Sequence, residues 1–101
     1  LSNKAASLSN IGKIYEKFGS YRKALNSYKN ALQIDVNKGD LMGRASDLYN
    51  LGRIYEILQE YHRAINHFEK SLIIFKQLEQ KQYVEVITQK ISDLRKKTKS
   101  I

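Results

Sequence analysis

The chain has 101 residues, with 18 Lys and Arg against 10 Asp and Glu, a net charge of +8, and neither cysteine nor proline. That length suits one domain able to bury about two-thirds of its unfolded surface, and the missing thiols exclude a disulfide framework or a thiolate metal site. No run approaches about 18 uninterrupted apolar residues and no charged-then-apolar leader opens the chain, so neither a membrane span nor a signal peptide is read and a cytoplasmic location is expected. With Leu1 first and Met42 the only methionine, the chain reads as a piece of something longer.

A first helix is predicted over about residues 3–17, where Leu8, Ile11, Tyr15 and Phe18 recur at three and four to make one apolar stripe. Gly19 can end it by taking a positive φ, and Ser20 is a suitable N-cap for the next helix. That second helix, about 21–36, turns Tyr21, Ala24, Leu25, Tyr28, Ala31 and Leu32 toward the first. So short a turn makes the two antiparallel neighbours. Asn37 to Asp40 is a polar loop containing Gly39, with Asp40 as the next N-cap.

The third and fourth helices follow at about 41–58 and 60–79, with Leu48, Leu51, Tyr55 and Leu58 answering Tyr61, Ala64, Ile65, Phe68 and Leu72. Ile73, Ile74, Phe75 and Leu78 make the end of the fourth helix apolar nearly all round, which calls for company on a second side. A last amphipathic helix over about 81–99 supplies it through Val84, Ile87, Ile91, Leu94 and Thr98. It is expected to cover Phe68, Leu72 and Phe75 and to present Glu85, Gln89, Asp93 and Lys96 to water.

Residues 10–34 and 50–74 align at an offset of 40 with ten identities: Asn10/Asn50, Gly12/Gly52, Ile14/Ile54, Tyr15/Tyr55, Glu16/Glu56, Tyr21/Tyr61, Ala24/Ala64, Asn26/Asn66, Leu32/Leu72 and Ile34/Ile74. A period of this kind marks stacked units that cannot bury their apolar faces alone. Each copy runs from a large apolar residue (Leu8, Leu48) through an apolar-Gly pair (Ile11-Gly12, Leu51-Gly52) to two tyrosines (Tyr15 and Tyr21, Tyr55 and Tyr61). It closes on Ala (Ala24, Ala64), an aromatic (Tyr28, Phe68) and a small residue (Ala31, Ser71). Glycine inside a helix costs about 0.5–1 kcal/mol relative to alanine, so Gly12 and Gly52 are expected where Tyr28 and Phe68 of the partner helix approach closely.

This pattern resembles the tetratricopeptide repeat (TPR). It departs from the family in having Leu8 or Leu48 for the usual Trp, no helix-ending Pro, Gln59 where the first copy has Gly19, and a period of 40 instead of about 34. The longer unit is similar to the subclass found in bacterial regulators and in eukaryotic polarity and motor adaptors. The resemblance implies an all-α fold, an α-solenoid of two TPR helix hairpins plus a C-terminal capping helix. It makes residues 1–101 a single domain, with repeat 1 at about 3–36, repeat 2 at about 41–79 and the cap at about 81–99.

No catalytic constellation is present, and neither cofactor nor metal is expected. His62 and His67 are five apart and point in different directions around a helix, so they cannot share a metal as an i, i+4 pair could. Function must therefore come from surface. In the family resembled, the first helix of each pair lines a concave groove that holds a peptide or helix. Here that row is Ser9, Asn10, Lys13 and Glu16, then Tyr49, Asn50, Arg53 and Glu56, continued by Gln89 and Asp93. Asn amides can satisfy a peptide backbone, Lys and Arg can pair with acidic side chains, and Tyr supplies contact area at low entropic cost.

A carboxylate clamp is not read, because Ser9 and Lys13 stand where Lys and Asn would be required, although Asn50 and Lys90 fit. The charge is unevenly spread: residues 1–40 carry seven basic and three acidic side chains, 41–80 five and five, 81–101 six and two. The expected partner is a protein or peptide, with a mild preference for acidic segments. Single-stranded nucleic acid is a weaker reading, since only Tyr49 near Arg53 places an aromatic beside a basic group, and membrane binding is not expected. The structural alternative is a spacer or self-association element of a larger regulator, possible homo-oligomer included, which exposed apolar surface near Ala5, Leu8 and Ile14 would favour.

Overall fold

The structure, a computed structural model, describes residues 4–99. They form five helices and nothing else regular: α1 (Lys4–Lys17), α2 (Tyr21–Lys38), α3 (Leu41–Ile57), α4 (Tyr61–Gln77) and α5 (Lys81–Lys99). Asn3, the expected start of the first helix, lies outside the described residues. Each helix packs on the next in sequence, with a light touch between α1 and α3, giving an all-α solenoid slab of 47 × 33 × 19 Å.

The four turns are one device used four times. Gly19, Gly39, Gln59 and Glu79 take φ values of 74°, 71°, 61° and 56°, and the next residue's N–H donates to a carbonyl five residues back: Ser20 to Tyr15, Asp40 to Asp35, Glu60 to Tyr55 and Gln80 to Phe75, all at 2.9–3.0 Å. That bond satisfies a helix-end carbonyl and reverses the chain in two or three residues. Glycine tolerates this geometry without cost, whereas Gln59 and Glu79 adopt it against the steric preference of a side chain.

Some expected boundaries move. The second helix runs two residues further, to Lys38, so the loop before α3 is only Gly39 and Asp40, and α4 is shorter than expected at both ends. Asp40 is an N-cap, accepting from the Gly43 N–H at 2.9 Å. Ser20 also stands at an N-cap position, that of α2, but its side chain makes no capping bond.

Within each hairpin a glycine meets an aromatic ring. A Cβ on Gly12 would stand 2.9 Å from the Tyr28 ring, and one on Gly52 would stand 2.8 Å from Phe68. The missing side chains thus let each pair of helices close over a fully buried ring, and both aromatics reach zero exposure. The core continues through Leu25, Leu48, Leu51, Ile54 and Ala64 to Phe75, Ile87, Ile91 and Leu94. Helix α5 covers Phe68 and Phe75, with Phe75 stacked on Tyr83 at 4.5 Å and 6°.

Two expected apolar surfaces stay open. The α1 stripe does not all point inward: Leu8 and Tyr15 are half-buried, but Ile11 is 42%, Ile14 52% and Phe18 80% exposed. Of the residues whose exposure would favour the structural alternative, Ile14 is exposed, Leu8 half-buried and Ala5 buried. On α4, Ile73 remains 59% exposed because α5 covers only the side carrying Ile74 and Phe75.

Candidate peptide-binding groove

Helices α1 and α3 carry the expected row, and a three-residue network ties its two halves together. Glu16 sits between the repeats, accepting from the Tyr28 hydroxyl at 2.6 Å and from both terminal nitrogens of Arg53 at 3.0 and 2.8 Å. This two-pronged contact matches guanidinium to carboxylate geometry and is stronger than a neutral hydrogen bond. Arg53 also reaches Asn50 Oδ1 at 3.4 Å and lies over the Tyr49 ring at 5.9 Å. Burial disfavours a charged Arg53, but the bonds to Glu16 outweigh it and hold its pKa above the usual value. Burial, followed by the bond to Glu16, pushes the Tyr28 hydroxyl pKa up.

The contact recurs in weaker form one repeat on. Glu56, the counterpart of Glu16, pairs with Lys90 at 3.6 Å. Phe68 replaces Tyr28 and brings no hydroxyl to it, and packs instead against Tyr49 at 5.7 Å. Lys13, the counterpart of Arg53, has no carboxylate partner among the described residues.

Two depressions follow this row. One of about 330 Å³ is lined by Lys13, Glu16, Lys17 and Arg53. The other, of about 390 Å³, is lined by Arg53, Glu56, Ile57, Gln59, Tyr61, Lys90 and Lys97. They meet at Arg53, and cations outnumber carboxylates in both. Asn10 and Lys13 are exposed, and Tyr49 and Asn50 are half-buried. Gln89 and Asp93 are exposed on α5 and hydrogen-bond each other at 2.9 Å, but the α5 side chains that line a depression are Lys90 and Lys97.

Ser9 is engaged elsewhere: its hydroxyl donates to Asp47 Oδ1 at 2.8 Å. Asp47 is buried beside Asp35, which is also buried. Asp35 occupies the space that a side chain on Gly43 would fill, since a Cβ there would lie 2.6 Å from Asp35 Oδ2. Burial, and then the hydrogen bond and charge of Asp35, push the Asp47 carboxyl pKa well above the usual carboxylate range, while the Ser9 hydroxyl pulls it down. A neighbouring carboxylate disfavours the charged form, as burial does, so Asp47 keeps its proton to a higher pH than an exposed carboxyl would.

Sequence reasoning missed this pair. A signal was available, for Asp35 continues the Tyr28–Ala31 buried stripe at helical spacing. It missed also that Glu16 and Arg53 satisfy each other, because they stand 37 residues apart on different helices.

Comparison with known proteins adds a family and a fold. No curated protein matches the chain. The crystal structure of BtubC (BKLC) from P. vanneervenii is similar over 93% of this chain, with a TM-score of 0.83 and 23% identity, and the match spans 39% of that protein's length. The family model for the tetratricopeptide repeat matches residues 3–77. With the duplicated motif, the glycine–aromatic contact inside each hairpin and that match over most of its length, the chain belongs to the tetratricopeptide-repeat family.

Proposed function

We propose that this protein-interaction repeat grips a peptide or helix along the α1–α3–α5 row and prefers acidic segments. The supporting observation is the pair of depressions joined at Arg53, with Lys13, Lys17, Arg53, Lys90 and Lys97 against Glu16 and Glu56 along their walls. Glu16–Arg53 and, over a longer distance, Glu56–Lys90 tie side chains of the row together, which lowers the cost of ordering them on binding. Contact with a ligand then falls to Asn10, Lys13, Tyr49 and Asn50, with Gln89 and Asp93 at the far end. No catalytic role is assigned to any residue.

The test is peptide display on the immobilised full chain, followed by fluorescence anisotropy of the selected peptides with wild type and an Asn10→Ala, Asn50→Ala double variant. Acidic peptides that bind the variant at least tenfold more weakly support the groove. Peptides that bind both proteins equally, or a selection with no acidic bias, contradict it.

A further inference from the structure

A depression of about 500 Å³ is lined by Lys29, Tyr55, His62, Arg63, Asn66 and His67. It shares no residue with the two groove depressions, and its walls come from the three inner helices, α2, α3 and α4. Tyr55 is buried, and cations gather on its ring: Lys29 Nζ stands 5.9 Å and the Arg63 guanidinium carbon 5.8 Å from the centroid, within reach of the attraction between a cation and an aromatic face. His67 packs on the same ring at 5.0 Å. Its Nδ1 lies 2.8 Å from the Arg63 carbonyl, and a carbonyl only accepts, so Nδ1 carries the proton. Nε2 is then an acceptor in the neutral ring and a second donor in the charged one. Burial lowers the His67 pKa, the bond to the Arg63 carbonyl raises it, and the charges of Lys70, Lys29 and Arg63 lower it again.

The next joint supplies what this one lacks. Forty residues on, Lys29 becomes Glu69 and Tyr55 becomes Arg95, and these two form an ion pair between α4 and α5. Along the groove, Arg53 and Lys90 likewise have Glu16 and Glu56. Here no carboxylate among the described residues lines the depression. Arg63 reaches Glu60 at 3.6 Å, but Glu60 is shared with Arg22 at 3.1 Å, and Lys29 has no carboxylate partner among the described residues. An ammonium, a guanidinium, an amide and two imidazoles are all able to donate. One carboxylate has too few oxygens and too little charge to answer them, whereas a phosphate monoester brings three strong acceptor oxygens and close to two negative charges.

We propose that this depression is an anion site, separate from the groove, for a dianionic phosphate group held between Lys29 and Arg63 with Asn66 and the two imidazoles around it. Such a group has two sources, free phosphate and a phosphorylated side chain of a partner, and the test separates them. His62 and His67 are the only histidines of the chain and both line the depression, so their imidazole C–H signals in proton NMR report on it directly. The full chain is titrated at constant ionic strength and about pH 8, above the second ionisation of a phosphate monoester at about 6. The probes are inorganic phosphate, a short glycine-flanked phosphoserine peptide and the same peptide with serine.

Both histidine signals are expected to shift saturably with the phosphopeptide and with phosphate, and the serine peptide to bind at least tenfold more weakly than the phosphopeptide. Lys29→Glu, which copies the charge of Glu69, should lose at least tenfold in affinity. Lys81→Glu makes the same change in net charge at the start of α5 and should bind as wild type does. Both side chains are exposed, so both variants should melt like wild type. With the site filled, the His67 signal should titrate at a higher pH, because a bound anion favours the imidazolium. A phosphopeptide at least tenfold tighter than inorganic phosphate assigns the site to a phosphorylated partner, and a smaller difference assigns it to the free ion. Shifts that chloride reproduces, equal losses in Lys29→Glu and Lys81→Glu, or no shift at all overturn the proposal.

Discussion

The joint between α2 and α3 and the joint between α4 and α5 occupy the same place in consecutive repeats, yet they are filled with opposite chemistry. Asp35, Gly43 and Asp47 close the first. Their counterparts forty residues on are Phe75, Tyr83 and Ile87, and here Phe75 stacks on Tyr83 while Ile87 is completely buried. The same helix stack thus accepts either a buried carboxyl pair or an aromatic plug. Gly43 makes room for the carboxyl pair, and Tyr83 covers the ring. What differs is the dependence on solution conditions between pH 5 and pH 8, because Asp35 and Asp47 bring carboxyl groups to the first joint where Phe75, Tyr83 and Ile87 bring none to the second.

The largest expected effect comes from emptying the apolar joint. Phe75→Ala should cost about 3–5 kcal/mol in urea unfolding, the usual loss for a buried phenylalanine; a loss under about 1 kcal/mol would mean that α5 is not packed on α4 as described.

The ties across the groove face come next. Removing Arg53 leaves the half-buried Glu16 carboxylate with the Tyr28 hydroxyl as its remaining partner, so Arg53→Ala should cost about 2 kcal/mol, in the range for hydrogen bonds to charged groups. Lys90→Ala, which removes a longer and more exposed ion pair, should cost under about 1 kcal/mol. Similar losses for the two variants would erase the distinction between the joints on this face.

The turns give the smallest effect. Gln59→Gly relieves a left-handed residue at the cost of a freer unfolded chain, for a net gain of up to about 0.5 kcal/mol, whereas Gly19→Gln should lose about 1 kcal/mol. Thermal melts of the two variants should move in opposite directions.

The helices and their order were legible because apolar residues at three and four declare which face is inward-seeking, and Gly12 and Gly52 announced the ring contacts that they make with Tyr28 and Phe68. Periodicity cannot say who covers a face. Ile11, Ile14 and Phe18 read like Leu51, Ile54 and Leu58, and their different burial depends on a neighbouring helix and not on their own spacing. Of the groove, the row was legible from the repeat, but its pairing was not. The bond between Glu16 and Arg53 and that between Ser9 and Asp47 join different repeats, at separations that local spacing does not encode. Asp35 and Asp47 were missed for a further reason: a charged residue on an inward stripe reads as a solvated break unless the stripe is followed through it.

The contrast between the two joints is tested most directly by urea unfolding of wild type and Asp47→Asn between pH 5 and pH 8. In the folded protein the Asp47 pKa is raised to about 8, against about 3.9 in an unfolded chain. Folding therefore takes up a proton in this window, and the stabilising contribution, complete below about pH 4, is lost as pH rises toward 8. Asp35, Asp40 and the Ser9 hydroxyl face this group. His67 contributes with the opposite sign, since burial lowers its pKa, but it does so equally in both proteins and cancels from the difference. Wild type should lose stability relative to Asp47→Asn as pH rises, by an amount on the order of a few kcal/mol across the window. Two curves that run parallel from pH 5 to pH 8 would show that Asp47 takes up no proton on folding in this window, and that the carboxyl pair does not set the first joint apart from the second.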